Sequence, residues 1–145
     1  SDGTTLTSRT PASVDINGVI YDKNTFVAVG SNGLILTASD NATTWTSRAF
    51  DTTDFRSVAF GNGIFVIAGN FSGNGSIYTS SDNGTTWSTV NTGLSPTFYK
   101  VGFGNNTFVA VGDGGKPHTS LDNGSTWTQR NSPTTTFLMG VSYKE

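Results

Sequence analysis

The sequence predicts an all-β fold made of about three and a half repeats of a four-stranded antiparallel unit. Trp45, Trp87 and Trp127 lie 42 and 40 residues apart, and the segments around them align with one another. Short runs of Val, Ile, Phe and Tyr alternate with Asn-Gly pairs, a pattern typical of strands joined by tight turns. No segment carries a sustained helical period, so we expect almost no helix.

Each repeat contains the same elements in the same order. The first has strand-like runs at Val19–Tyr21, Thr25–Gly30 and Leu34–Thr37, and a turn ending at Trp45 then leads into a fourth strand. A period of about 40 residues suits four short strands with their turns, which is one β-propeller blade. The corresponding runs of the other two repeats are Val58–Phe60, Ile64–Gly69 and Ser76–Thr79, then Val101–Phe103, Thr107–Gly112 and Pro117–Thr119.

The two ends of the chain look like parts of further repeats. Residues 1–13 match the outer strand of a blade, and residues 139–145 match a first strand, while residues 14–55, 56–98 and 99–138 form the three whole blades. Closed propellers typically have four to eight blades, and open sheet edges invite aggregation. We therefore expect the ring to be completed by homo-oligomerisation or by missing sequence, with a packing other than a closed ring as the third explanation.

Composition excludes several classes of function. The net charge is −2 and the eight Lys and Arg residues are scattered, so we expect no nucleic-acid partner. There is no cysteine, which excludes disulfides and thiol catalysis. The apolar runs are too short to span a bilayer, so we expect no membrane partner. Charged residues make up only 12% of the chain, and a surface rich in Thr, Ser and Asn favours a secreted, extracellular or virion-surface protein.

The turns before the tryptophans carry a family resemblance. Ser80–Trp87 and Ser120–Trp127 resemble the Asp-box, or BNR repeat, whose pattern is Ser/Thr-x-Asp-x-Gly-x-Thr-Trp. The first copy departs from the pattern at Ala38 and Ala42. The resemblance covers nearly the whole chain and implies β-propeller blades of the sialidase-like or propeller-lectin type. It also implies that each box forms the turn between the third and fourth strands.

The chemistry of the boxes suggests a structural role. The aspartate can accept hydrogen bonds from backbone N–H groups two and three residues on, and the threonine hydroxyl can bond back across the turn. The tryptophan then buries a large apolar area. We expect these residues to hold the fold rather than to bind metal or catalyse: Asp40, Thr44, Trp45, Asp82, Gly84, Thr86, Trp87, Asp122, Gly124, Thr126 and Trp127.

Catalysis finds little support in the sequence. A sialidase resemblance would imply an arginine triad, a tyrosine nucleophile with a glutamate partner, and an aspartate acid, but the only glutamate is Glu145. Asp51 and Asp54 are the one conceivable carboxylate pair for a glycosidase. His118 is the only histidine, and we expect it to be a partly buried strand residue. We therefore predict no enzyme, no catalytic residue, no metal and no cofactor. Three of the four arginines share one repeat position: Arg9, Arg48 and Arg130.

The segments that differ between repeats are the best place for a ligand. They are the hairpins between strands two and three and the linkers between blades, and we expect both on the face opposite the Asp-boxes. Amides and charges beside aromatic rings suit a glycan or a surface receptor. The alternative is that they are ordinary turns with the linker aromatics buried between blades. The candidate ligand residues are Asn70, Phe71, Asn74, Asp113, Lys116, Arg56 and Tyr99.

The sequence thus predicts a non-catalytic, lectin-like recognition or assembly module that binds a carbohydrate or receptor and associates with itself. Two alternatives stay open. The chain could be a purely structural oligomerisation module of a larger assembly, or a fragment of a sialidase-like glycoside hydrolase.

Overall fold

The structure is a computed structural model that describes residues 14–39, 41–48, 51–90 and 96–144. The predictions made for residues 1–13, Asp40 and Glu145 lie outside the described residues. The described residues form twelve strands in three four-stranded antiparallel sheets, and a 3-10 turn at Asp113–Gly115. The predicted all-β fold is confirmed. No helix among the described residues is long and apolar enough to cross a bilayer.

In each sheet, or blade, the strands lie side by side in chain order. Blade 1 contains β1 (Ile16–Asp22), β2 (Thr25–Gly30), β3 (Ile35–Ser39) and β4 (Thr46–Ser47). Blade 2 contains β5 (Asp54–Gly61), β6 (Ile64–Phe71), β7 (Asn74–Ser80) and β8 (Ser88–Val90). Blade 3 contains β9 (Phe98–Gly104), β10 (Thr107–Gly112), β11 (His118–Ser120) and β12 (Thr128–Gln129).

Left-handed residues form the tight turns between first and second strands. Asn62 and Gly63 join β5 to β6 with φ angles of 50° and 82°. A two-residue hairpin turn of type I′ needs positive φ at both central positions, which Asn and Gly adopt most easily. The equivalent turn in blade 3 uses Asn105 and Asn106, with φ angles of 46° and 58°. The Asn and Gly residues at these positions therefore set the turn type.

The hydrophobic core lies between the blades. One cluster joins blade 1 to blade 2, and a second joins blade 2 to blade 3. Because each blade buries its apolar face against a neighbour, stability comes from stacking the repeats rather than from any single blade. The four largest fully buried side chains are phenylalanines of blades 2 and 3: Phe55, Phe65, Phe98 and Phe108.

A glycine lies at or near the end of each second strand because the backbone at the start of the first strand passes very close to it. A Cβ on Gly112 would overlap the carbonyl oxygen of Thr97, and one on Gly69 would overlap that of Asp54. In blade 3 the same Thr97 carbonyl accepts a hydrogen bond from the N–H of Asp113, at 3.0 Å. The close approach therefore ties the start of each first strand to the end of the second strand.

Beside these glycines, the first strand of every blade carries a β-bulge at the same place. The ladder skips one residue in each first strand: Asn17 in β1, Arg56 in β5 and Tyr99 in β9. A bulge leaves one residue unpaired and re-aims its side chain, and bulges occur often next to binding sites. The three bulge residues differ in chemistry although their backbones are equivalent.

Candidate functional site

The hairpins between second and third strands meet the linkers between blades. The N–H of Gly33, in the hairpin of blade 1, donates to the carbonyl of Thr53, at 2.7 Å, in the linker to blade 2. A Cβ on Gly75 of blade 2 would overlap the carbonyl oxygen of Pro96 in the next linker. We call this surface the hairpin–linker face. It comprises hairpins 31–34, 72–73 and 113–117 and linkers 51–53, 96–97 and 130–137.

The turns at the opposite ends of the strands form a second surface, the aspartate-turn face. The amide of Asn62, in the turn between β5 and β6, donates to Asn106 Oδ1 at 2.6 Å. It also donates to Asn123 Oδ1 at 3.0 Å, in the turn between β11 and β12. The turn between the first two strands of blade 2 is thus joined to two turns of blade 3 on this face, the one between its first two strands and the one between its last two.

The side chains of the turn between β7 and β8 in blade 2 bond to one another and to the turn's own backbone. Asp82 Oδ1 accepts from the Thr86 N–H at 2.9 Å and the Ser80 hydroxyl at 2.8 Å, and Oδ2 accepts from the Thr86 hydroxyl at 2.7 Å. The Thr86 N–H, followed by its hydroxyl, lowers the pKa of Asp82 to about 2. The indole of Trp87 donates to Gly84 O at 3.1 Å. The prediction that the aspartate accepts from N–H groups two and three residues on was wrong for this turn, because the N–H that donates to Asp82 belongs to Thr86, four residues on.

Blade 3 repeats this turn. Asp122 accepts from the Thr126 hydroxyl at 2.6 Å and the Thr126 N–H at 2.9 Å, and these bonds lower its pKa to about 2. The indole of Trp127 donates to Gly124 O at 3.0 Å. Gly124 faces Val66 of blade 2, so the turn of one blade packs on the strands of the one before it. In blade 1, the Trp45 ring packs at a tilt against the Phe26 ring, with centroids 6.1 Å apart.

Arg56, Tyr99, Asp113 and Phe137, which we call the Arg56–Tyr99 cluster, come together on the hairpin–linker face. The Arg56 guanidinium carbon lies 5.7 Å from the centre of the Tyr99 ring, within cation–π range. Tyr99 also meets the Phe137 ring edge-on, with centroids 6.2 Å apart. Hydrogen bonding to the Asp113 carboxylate, with burial and its negative charge adding, raises the pKa of the Tyr99 hydroxyl.

Two polar atoms of the cluster are poorly satisfied. Among the described residues, the buried atoms Arg56 Nε and Asp113 Oδ1 have no hydrogen-bond partner. Each unsatisfied buried group costs about 1–3 kcal/mol in general. Phe137, by contrast, is 66% exposed. The cluster therefore departs from what stability alone would select, a departure that natural proteins show mainly at functional sites.

The other predicted ligand residues lie outside this cluster. Asn70 shapes its own hairpin, because its Oδ1 accepts the N–H of Gly73 at 2.8 Å. Phe71 is 49% exposed and pairs across the hairpin with exposed Asn74. Lys116 is exposed at the end of the next hairpin. Of the seven candidates, the structure joins Arg56, Tyr99 and Asp113.

The side chains considered for catalysis have separate structural partners. Asp51 accepts from the Tyr78 hydroxyl at 2.8 Å, whereas Asp54 accepts from the Asn32 N–H at 3.2 Å. His118 is fully buried, with Nδ1 3.0 Å from the Lys116 carbonyl, and burial lowers its pKa. The described residues contain no group of three His, Asp or Glu side chains placed to hold a metal ion.

Asn17 is a site residue that the sequence reasoning missed. Its amide donates to the Phe55 carbonyl at 2.7 Å, so it bridges blade 1 to the first strand of blade 2. Asn17, Arg56 and Tyr99 therefore each contact the following blade or linker from an equivalent bulge. In the aligned repeats this column holds Asn, Arg and Tyr directly after an apolar residue, a variation that marks the position but does not reveal the bulge.

Solved structures with similar folds are propellers of low sequence identity. YCF48 bound to D1 peptide is 20% identical, with a TM-score of 0.75 over 90% of this chain and 44% of that one. YCF48 from Cyanidioschyzon merolae is 24% identical, with a TM-score of 0.69 over 83% and 38%. The computationally designed Ika4 protein is 14% identical, with a TM-score of 0.71 over 99% and 88%. This chain spans less than half the length of the YCF48 chains.

No curated protein matches the sequence significantly. The family model of the DUF6242 beta propeller domain matches residues 47–145, well over half of the chain. The match agrees with three stacked four-stranded antiparallel sheets. The chain therefore belongs to the family of the DUF6242 beta propeller domain.

Proposed function

We propose that this propeller domain is a non-catalytic recognition module that binds carbohydrate at the Arg56–Tyr99 cluster. The observation that carries the proposal is the convergence of two bulge residues, Arg56 and Tyr99, with Asp113 beside the exposed ring of Phe137. Equivalent bulges that present different side chains provide specificity without altering the scaffold.

The cluster offers the groups that a sugar needs. An exposed ring such as Phe137 can stack on the apolar C–H face of a pyranose. Asp113 can accept hydrogen bonds from sugar hydroxyls, and the Arg56 guanidinium can donate them. Because Asp113 Oδ1 and Arg56 Nε are buried and unpaired among the described residues, small side-chain shifts on binding would satisfy them.

Two further likenesses support a recognition role. The aspartate turns resemble the Asp-boxes of propeller lectins, and the Thr-, Ser- and Asn-rich composition favours a secreted or virion-surface location. The YCF48 propeller of similar fold is bound to D1 peptide, which makes a peptide the competing class of ligand.

A glycan array followed by calorimetry tests the proposal. For a glycan that binds, Phe137→Ala should weaken binding roughly tenfold, which corresponds to about 1.4 kcal/mol. The matched control is Leu121→Ala, because Leu121 is 69% exposed on the aspartate-turn face and should leave affinity unchanged. Equal losses in both variants would contradict the site, and no binding to any glycan would contradict the ligand class.

Assembly is a second candidate function, favoured by exposed apolar side chains on one face of blade 1. Val19 and Tyr21 of β1 are 62% and 50% exposed, whereas Val58, equivalent to Val19 in blade 2, is 9% exposed. Ile16 is 44% exposed, although its equivalent Phe55 is fully buried. Exposed contiguous apolar surface of this kind marks interaction sites. We propose that this face of blade 1 associates with another copy of the chain.

Light scattering over a range of concentrations tests the assembly. The unmodified chain should form dimers or larger species, and Val19→Asp should shift it to monomer by burying a charge in the contact. Leu121→Ala is again the control and should leave the mass unchanged. A chain that is strictly monomeric at all concentrations would contradict self-association through this face.

A further inference from the structure

We propose that His118 makes blade 3 sensitive to acid: when its imidazole takes up a proton, the hairpin at residues 113–117 loosens and the Arg56–Tyr99 cluster comes apart. The release of ligand that follows rests on the function proposed above, whereas the loosening of the hairpin does not. Three features of the molecule support this device: the burial of the ring, the lack of an acceptor for a second proton, and the place of the hairpin beside the cluster.

The His118 imidazole occupies a core position. It is fully buried and meets the Phe98 ring edge-on, with centroids 5.3 Å apart. In blade 2 the Tyr78 ring meets Phe55 in the same way, at 5.1 Å. In blade 1 the equivalent residue is Leu36, which pairs with the second strand at the same step of the ladder. The other two blades therefore fill this position with side chains that stay neutral between pH 7 and pH 5.

Only one nitrogen of the His118 ring has a partner. Nδ1 lies 3.0 Å from the Lys116 carbonyl, which can only accept, so Nδ1 carries the proton of the neutral ring. Nε2 is buried and has no hydrogen-bond partner among the described residues. A proton added in acid goes to Nε2, where the new N–H meets no acceptor. Because a buried, unpaired charge is strongly unfavourable, the protonated ring must reach water.

The elements around the ring do not supply a balancing negative charge. Strands β6, β7, β10 and β12 contain no acidic or basic side chain. Lys100 on β9, Lys116 before β11 and Arg130 after β12 are positive. In β5 the one acid, Asp54, bonds to the hairpin of blade 1, and the arginine is positive. Asp113, on the hairpin, bonds to the hydroxyl of the cluster tyrosine.

The direction of the acid effect follows from the burial. Burial lowers the pKa of His118 from the ordinary 6.5, and the positive charge of Lys116 adds to this, against a smaller opposing effect of the Lys116 carbonyl. The unfolded chain therefore binds the proton first. Stability is complete above about pH 6.5 and falls as the pH drops from there towards the folded pKa.

The hairpin at residues 113–117 connects His118 to the cluster. His118 Nδ1 donates to the carbonyl of Lys116, at one end of the hairpin. Asp113, at the other end, holds the hydroxyl of Tyr99. When the protonated ring turns towards water, the bond to Lys116 is lost and the hairpin loses its anchor.

The linker that carries Phe137 rests on the same hairpin. A Cβ on Gly115, which is buried, would overlap the carbonyl oxygen of Thr134 in that linker. Movement of the hairpin therefore displaces Asp113 and Phe137 together. Both contact Tyr99, so the cluster loses two of its members at once.

Urea unfolding between pH 7 and pH 5 tests the acid sensitivity. His118 is the only histidine and the chain has no cysteine, so no other side chain ordinarily titrates in this window. The equilibrium constant for unfolding should rise by up to roughly tenfold for each pH unit below 6.5. His118→Leu, which copies Leu36 of blade 1, should abolish the dependence.

His118→Asn is the second variant, because its amide can still donate to the Lys116 carbonyl but does not titrate. It too should show no dependence on pH between 7 and 5. An equal dependence in the unmodified chain and both variants, or none in the unmodified chain, would overturn the proposal.

Hydrogen exchange locates the loosening. The Asp113 N–H bonds to the Thr97 carbonyl in blade 3, and the Ser31 N–H bonds to the Asp15 carbonyl in blade 1, both at 3.0 Å. After correction for intrinsic exchange rates, Asp113 should lose protection at pH 5 while Ser31 keeps it. In His118→Leu both should stay protected. Equal losses at the two positions would show unfolding of the whole domain and would overturn a device confined to blade 3.

Calorimetry at pH 7 and pH 5 tests the release. For a glycan that binds at the cluster, affinity should fall at least roughly tenfold at pH 5 in the unmodified chain and stay constant in His118→Leu. Exchange that shows the loosening while no glycan binds at either pH would support the device and contradict the proposed ligand class. Affinity that is unchanged at pH 5 although Asp113 has lost protection would overturn the coupling to the cluster.

Discussion

Replacement of Gly112 by alanine is expected to destabilise the domain by roughly 3 kcal/mol or more, the range for forced overpacking with backbone displacement. The added Cβ would overlap the carbonyl oxygen of Thr97, a backbone atom that cannot move without shifting the linker. That carbonyl also accepts the Asp113 N–H, so the shift would break a hydrogen bond. Urea unfolding followed by tryptophan fluorescence measures the loss.

Gly140→Ala is the control for this substitution. A Cβ at Gly140 meets nothing within 4 Å, so the same chemical change should leave the unfolding midpoint unaltered. If both alanines were equally mild, the close approach of the linker to the second strand would not constrain the fold. If both were equally damaging, the effect would come from lost glycine flexibility rather than from the contact.

Stability is expected to fall as the pH drops from about 4 to 2, because the two aspartate turns lose their charge. Asp82 and Asp122 have pKa values of about 2 in the folded chain, below the ordinary 3.8. A lowered folded pKa adds stability that is complete above the unfolded value and disappears as pH falls through the folded one. Because both carboxylates are exposed, we expect about 1 kcal/mol from each.

The double variant Asp82→Asn with Asp122→Asn should flatten this acid transition. An amide keeps one acceptor oxygen for Thr86 or Thr126 but carries no charge to lose. Asp15→Asn is the control, since Asp15 is an exposed aspartate outside both turns. Urea midpoints measured from pH 7 to pH 2 report the difference. An unchanged pH profile in the double variant would show that other groups govern the acid sensitivity.

The strands and turns of this fold were predictable because their signals are local. The run Thr25–Gly30 contains three β-branched residues and one aromatic residue, and Asn62-Gly63 favours positive φ as an Asn-Gly pair. Three aligned copies strengthened each signal. The face that holds the hairpins and linkers followed from connectivity alone.

The bulges were not predictable in this way. Arg56 and Tyr99 lie within otherwise regular strand patterns, and beside each of them a backbone carbonyl at the start of the strand is pressed against a glycine of the next strand. That contact depends on how two strands pack, which no single segment encodes. For the same reason, sequence reasoning gathered seven candidates but could not distinguish the Arg56–Tyr99 cluster from Asn70, which serves its own turn.

The bulges also separate the choice of side chain from the integrity of the scaffold. An unpaired residue adds no bond to the ladder, so its replacement leaves backbone pairing intact. Asn17, Arg56, Tyr99 and Met139 occupy this position in successive repeats, and no two are alike. A library randomised at these four codons alone would vary the surface of the hairpin–linker face while every strand keeps its register. The domain thus offers a ready framework for selecting binders to chosen targets.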